Sequence, residues 1–190
     1  MEEEQSQRPA LPAWPGADEA ELTVVCGVMA RRLAATSARV IGVVPVGGPV
    51  SLNLGPLIVR VASALAGFVG GRVGVVPRWR SWAKDTSGEA GGLRLRAMGP
   101  DVVAVVPPAA QNSRAAALAV QEAIWSLPAS IKRVVVDLGG YAAPGALPGA
   151  GAVADGIVVA VSAGRARRAH VAQLLAAIPT AKSLGTILVG

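Results

Sequence analysis

Cysteine occurs once, at Cys26, so no intrachain disulfide can form and a reducing compartment suits the chain. Aromatic residues make up 3% of the sequence, and tyrosine and histidine occur once each, at Tyr141 and His170. His170 has no Cys or second His at ligand spacing, so the common zinc motifs are excluded. Cys26 has no His close in sequence that would mark an activated thiol, and no hydrolase-type nucleophile motif is present. Met1-Glu2-Glu3-Glu4-Gln5 is the wrong chemistry for a signal peptide. No charge lies between Arg39 and Arg60; Val40–Val59 is a 20-residue uncharged run, long enough for a membrane span. Repeated Gly and Pro break that run and Arg60 closes it, so a spanning helix is not expected.

The composition that remains suits an α/β core. Of the 190 residues 52% are hydrophobic, mainly Ala and Val, which favours buried parallel strands under Ala-rich helices. The 23 Gly and 14 Pro cluster between apolar runs and mark turns. Charge is lopsided: six of the twelve acids fall within the first 21 residues, and beyond them 17 Lys or Arg face six acids, an excess of 11 positive charges. Such a body favours an anionic partner, although a GC-rich genome that enriches Arg would leave the same trace.

Residues 1–17 read as a disordered acidic, Pro-rich tail and residues 18–190 as one domain. Asp18 is placed to cap a helix to about Thr36, with Leu22, Val25, Cys26, Met29 and Leu33 on one face. Val40–Val44 is a strand, Leu57–Val69 a helix ended by Gly70-Gly71, and Arg72–Val76 a second strand. Pro77–Gly92 is a polar, basic excursion. Leu93–Ala97 and Val102–Val106 follow as strands. Ser113 is placed to cap a helix through Leu127 that buries Ala117, Leu118, Ile124 and Trp125. Val134–Val136 leads to Asp137 and a Gly/Ala/Pro loop; Ile157–Val161, a helix over Ala166–Ile178 and the strand Leu184–Val189 complete the chain. Val40–Val44, Val134–Val136, Ile157–Val161 and Leu184–Val189 are expected at the centre of a three-layer, doubly wound, mostly parallel sheet of the P-loop NTPase kind.

Strand, Gly-rich turn and helix between Val40 and Leu65 give the outline of a phosphate cradle, Pro45-Val46-Gly47-Gly48-Pro49-Val50-Ser51-Leu52-Asn53-Leu54-Gly55-Pro56. The Lys that would reach the terminal phosphates is absent, and Pro49 and Pro56 each remove a backbone donor. Ser51 and Asn53 supply the polar side chains, which fit either a phosphate or the turn itself.

The order of motifs resembles the MinD/ParA-type P-loop ATPases, and especially the cytoplasmic domain of bacterial tyrosine kinases of capsule and exopolysaccharide synthesis. Lys132-Arg133-Val134-Val135-Val136-Asp137-Leu138-Gly139-Gly140 is similar to the strand ending in the family's magnesium-organising Asp. Ala154-Asp155-Gly156-Ile157-Val158-Val159-Ala160-Val161 and Leu184-Gly185-Thr186-Ile187-Leu188-Val189-Gly190 resemble its two following strands, with Gly190 where an adenine-reading Asn would fall. Arg72-Val73-Gly74-Val75-Val76-Pro77-Arg78 stands where the kinases have a strand ending in a catalytic Asp, a place taken here by Pro77 or Arg78. The helix beginning near Glu21 lies where the kinases carry an oligomerisation motif, and their Tyr-rich tail is missing.

The resemblance implies a degenerate nucleotide site at Gly47, Gly48, Ser51, Asn53, Gly55 and Asp137, with no catalytic residue, no metal and no resident cofactor, ATP with magnesium being the alternative. It implies a binding or regulatory subunit in polysaccharide synthesis and export or in spatial organisation at the inner membrane. The location would be cytoplasmic or peripheral, with a protein partner such as a membrane-associated complex, an active homologue or a second copy. Two rivals stand beside it: an ATPase with an unusual P-loop, and a basic binder of nucleic acid or anionic lipid. Partner contacts are expected at Arg78, Trp79, Arg80, Trp82 and Lys84, where cations alternate with indoles, and at Arg165, Arg167 and Arg168, where cations crowd a helix start against its dipole.

Overall fold

In the computed structural model the described residues are 19–46, 54–78, 92–141, 152–163 and 166–189. The tail 1–17, Asp18, most of the cradle and the Trp-containing excursion lie outside them.

Apolar runs without polar alternation form strands covered on both faces, as expected for a parallel sheet. Helix α1 (Glu19–Ala34) precedes β1 (Val40–Val46), followed by α2 (Gly55–Val69), β2 (Arg72–Val76), β3 (Arg94–Ala97) and β4 (Val102–Val106). Then come α3 (Ser113–Trp125), β5 (Ile131–Asp137), β6 (Gly156–Ser162), α4 (Arg168–Ala177) and β7 (Ser183–Val189). The sheet has seven strands in the order β3-β4-β2-β5-β1-β6-β7, parallel except for the β3–β4 pair. Helices α1 and α2 pack on one face around Ile41, Leu57, Ile58 and Leu65. Helix α3, with half-buried side chains of α4, covers the other face around Val44, Val134, Val136 and Val159. This is the expected three-layer P-loop NTPase-like architecture.

Proline is tolerated inside β1 for a reason that register supplies. The Arg39 carbonyl accepts from Val134 on β5, while the Val40 carbonyl accepts from Asp155 at the start of β6. Successive residues of a parallel strand alternate between neighbours, so Pro45 faces the β5 side. The β1–β5 ladder ends at Val43 opposite Asp137, so the missing N–H falls where β5 has already stopped.

Three expectations are corrected. The helix α3 is capped by Asn112, not Ser113: the Asn112 Oδ1 accepts from the Ala115 N–H at 2.9 Å. Its buried face is Ala116, Ala119, Val120, Ala123 and Ile124, whereas Leu118 is 54% and Trp125 73% exposed. The small residues let the helix approach the sheet closely, and the larger ones turn outward. Strand β7 is an edge strand, with Leu188 and Thr186 exposed, so its apolar sequence does not reflect burial on both faces. Among the described residues no helix is long and apolar enough to cross a membrane.

Candidate functional site

In an open parallel sheet, ligand crevices lie beyond the carboxyl ends of the strands where the connections diverge. Here β5 ends beside β1, with Asp137 opposite Val43 while β1 runs on to Val46, and β2 ends next to β5, with Val76 opposite Val136. The carboxyl end of β5 thus places Asp137 between β1 and the Pro77-Arg78 stretch that leaves β2.

Asp137 is 4% exposed. Its Oδ1 accepts the Gly139 N–H at 2.8 Å, and its Oδ2 lies 3.8 Å from the Nε of Arg78, a side chain 23% exposed. Burial pushes the Asp137 carboxyl up from its ordinary value, while the Gly139 N–H and then the Arg78 charge pull it back. A side chain at Gly139 would have to displace the Arg78 guanidinium. A Cβ there would stand 2.6 Å from an Arg78 guanidinium nitrogen and 2.8 Å from the Asp137 Oδ1. The absence of a side chain at Gly139 lets the guanidinium approach the carboxylate.

On the cradle side the described residues begin at Leu54. Leu54 is fully buried and its carbonyl accepts the Ile58 N–H at 2.8 Å. Gly55 and Pro56 open α2, Pro in the first turn costing no bond there, and no side chain caps the helix. Of the residues expected at the nucleotide site, Gly55 and Asp137 are described, at the start of α2 and the end of β5. Gly47, Gly48, Ser51 and Asn53 lie outside the described residues.

Magnesium takes oxygen donors, typically a carboxylate, a Ser or Thr hydroxyl and phosphates. The described residues do not fit it. The carboxylate at the site is held by a backbone N–H and faces a guanidinium, which occupies the place of a counter-ion. Among the described residues there is no group of three His, Cys, Asp or Glu that could hold a metal.

The remaining expected contacts divide. Arg78 turns its guanidinium to Asp137 instead of presenting it as a simple surface cation. Trp79, Arg80, Trp82, Lys84 and Arg165 lie outside the described residues. Arg167 and Arg168 are exposed at the start of α4, where Arg167 is the cap residue without a side-chain cap bond. Parallel strand direction places that helix start at the same edge of the sheet as Asp137. The motif Asp137-Leu138-Gly139-Gly140 marks the turn that Asp137 caps, whereas nothing in the sequence links Arg78 to Asp137.

The fold and this strand-end crevice define a three-layer α/β protein of the P-loop NTPase-like class. No protein-family profile matches the chain and no curated protein matches it by sequence. Among solved structures, the crystal structure of the chimerical protein CapA2B2 is similar, with a TM-score of 0.60 at 15% identity over 92% of this chain and 85% of that one. At this identity the likeness is one of fold.

Proposed function

We propose that the chain is a P-loop NTPase-like protein that has lost nucleotide turnover and serves as a binding or regulatory subunit. The observation that carries this is the Arg78–Asp137 pair. Phosphoryl transfer relies almost entirely on positioned cations and metal around the phosphates. At this site the carboxylate that would organise a metal faces the chain's own guanidinium, and the sequence supplies no Lys in the cradle. Resemblance in motif order to the tyrosine kinases of polysaccharide synthesis suggests the setting: polysaccharide synthesis and export, or spatial organisation at the inner membrane. The partner would be a protein, plausibly an active homologue, meeting the Arg78–Lys84 segment and the exposed Arg167 and Arg168.

Purified full-length protein tests this in two measurements. Phosphate release from Mg·ATP should not exceed that of an Asp137→Ala control. A fluorescent ATP analogue should show no magnesium-dependent binding. An Asp137-dependent rate, or binding that needs magnesium and is lost in that variant, would instead establish a working site.

A further inference from the structure

Among the described residues, the edge of the sheet at the strand starts carries a row of exposed cations. Every strand but β3 runs the same way, so the starts of β2, β5 and β1, three adjacent strands, lie side by side. Arg72 begins β2, Lys132 is the second residue of β5 and Arg39 immediately precedes β1; all three are exposed. The Lys132 stem lies over Gly71, with its Cγ 2.6 Å from where a Cβ would stand, which brings it beside Arg72. Arg31 and Arg32, exposed in the last turn of α1, extend the patch, since the loop that follows leads into β1. The acids at this edge include Asp155, tied to backbone N–H groups of Arg39 and Val40, and the exposed Asp101 immediately before β4.

A cleft of about 170 Å³ opens in the same patch, lined by Arg72, Pro100, Ser130 and the apolar Leu95, Val103 and Ile131. Trp125 ends α3 just before the loop that forms one wall and is 73% exposed. Cations beside an apolar cleft and an exposed indole fit an extended acidic peptide carrying one apolar side chain. Nucleic acid fits less well, because one indole is not a stacking platform for successive bases.

This chain carries such a segment: the apolar Met1 stands directly ahead of Glu2, Glu3 and Glu4. Its reach suffices. The 16-residue α1 spans about 24 Å at 1.5 Å per residue. From β1 across β5 to β2 is roughly 10 Å more. An extended stretch from Asp18 back to Glu4 covers about 46 Å at 3.3 Å per residue. At the other edge Glu19 and Glu21, in the first turn of α1, would repel the segment where it leaves the domain.

We infer that the strand-start edge docks the acidic N-terminal segment of the same chain, Glu2–Glu4 meeting Arg39, Lys132 and Arg72 while the Met1 side chain, beyond them, enters the cleft. Each ion pair is weak at a surface, and the tether supplies the local concentration that a free peptide would lack. The segment therefore shields this edge from other anionic partners until salt or a stronger acidic partner displaces it. The inference does not depend on the state of the nucleotide crevice.

Zero-length carbodiimide cross-linking of the full chain, with peptide mapping, tests it, because the sequence has only three lysines: Lys84, Lys132 and Lys182. Amide links from Glu2, Glu3 or Glu4 to Lys132 are expected at low salt. They should fall at least fivefold in strong salt, with added poly-glutamate, or in an Arg39→Glu, Arg72→Glu variant. Should that variant unfold, the salt and competitor arms on the unaltered chain decide. An Arg168→Lys variant offers an amine at the opposite edge. Links to that amine or to Lys84 in place of Lys132, or no link from the tail, would overturn the inference. So would mixed-mass links in an equimolar mixture of ¹⁴N and ¹⁵N chains, which would place the tail on a second copy.

Discussion

Asp155 and Val40 hold each other from both sides. The Asp155 N–H donates to the Val40 carbonyl at 2.8 Å, and the Asp155 Oδ2 accepts the Val40 N–H at 2.8 Å and the Arg39 N–H at 2.9 Å. One carboxylate thus fixes where β1 enters the sheet relative to β6, although the residues lie far apart in sequence. The Ala154-Asp155-Gly156 motif has a structural use that its likeness to a family pattern does not reveal. Gly156, opposite Ile41, is also where a Cβ would strike the Leu184 side chain.

Asp155→Ala should therefore destabilise the fold by about 2 to 3 kcal/mol, since hydrogen bonds to a charged acceptor are worth about 1.5 to 3 kcal/mol and the buried Val40 N–H would be orphaned. Asp155→Asn keeps one acceptor oxygen and should lose less than half as much. Urea unfolding of the two variants checks this. Equal losses would mean that side-chain shape, not the accepted bonds, matters.

At Asp137 the expected dependence on pH runs opposite to that of an ordinary salt bridge. Burial holds its folded value above the ordinary one, so the folded state takes up the proton more readily than the unfolded chain. Its contribution to stability is full below the ordinary carboxylate value and is lost as pH rises through the folded value. Asp137→Asn still accepts from Gly139 and never ionises, so its stability relative to the native chain should improve over the interval that opens as pH rises above the ordinary carboxylate value. Denaturant titrations at several pH values check this; a relative stability that declines over that interval would mean that the Arg78 attraction outweighs burial.

The central strands were legible because Val, Ile and Ala run without polar alternation in β1, β5 and β6, and a parallel sheet covered on both sides accepts that pattern. Asp137 was legible as the residue ending such a run. The face of α3 was not, because the expectation placed the large apolar Leu118 and Trp125 inward, yet Ala116, Ala119 and Ala123 meet the sheet beside Val120 and Ile124. Strand β7 read as central because an edge strand and a buried one can share an apolar sequence. The contact of Arg78 with Asp137 was out of reach, since it depends on β2 lying next to β5, which is a matter of strand order. Much of the nucleotide-like outline, from Gly47 to Asn53, lies outside the described residues.

The close approach of β1 to the turn after β5 gives a test in the core. A Cβ on Gly42 would stand 2.5 Å from the Leu138 Cδ1 and 3.2 Å from the Ala154 Cβ. Gly42→Ala should cost about 1 to 3 kcal/mol, as overpacking generally does. Leu138, also fully buried, should cost about 2 to 5 kcal/mol as Leu138→Ala. In the double variant the added methyl faces the space the Leu vacates, so the two losses should fall short of their sum by at least about 0.5 kcal/mol. Strict additivity in thermal or urea unfolding would show that Leu138 is not the atom group limiting residue 42.

Cys26 sits in the α1–α2 layer, 2% exposed, and burial pushes its thiol up to about 11, with the neighbouring Arg60 charge lowering it only in part. A thiol so placed stays protonated and inert, because the thiolate is the reactive form. The native chain should resist thiol labelling near neutral pH and react fully once unfolded in denaturant. The same burial has a consequence for stability. The unfolded thiol ionises from about its ordinary value while the folded one retains its proton, so the contribution of Cys26 is present below the ordinary value of 9.0 and lost as pH rises to about 11. A Cys26→Ala variant shares every other alkaline group with the native chain and lacks this one. The native chain should therefore lose more stability than the variant across that interval, whatever the constant cost of the smaller side chain. Parallel stability curves, or labelling of the native thiol as fast as that of the unfolded chain, would show that α1 opens readily and that Cys26 is not held in the core.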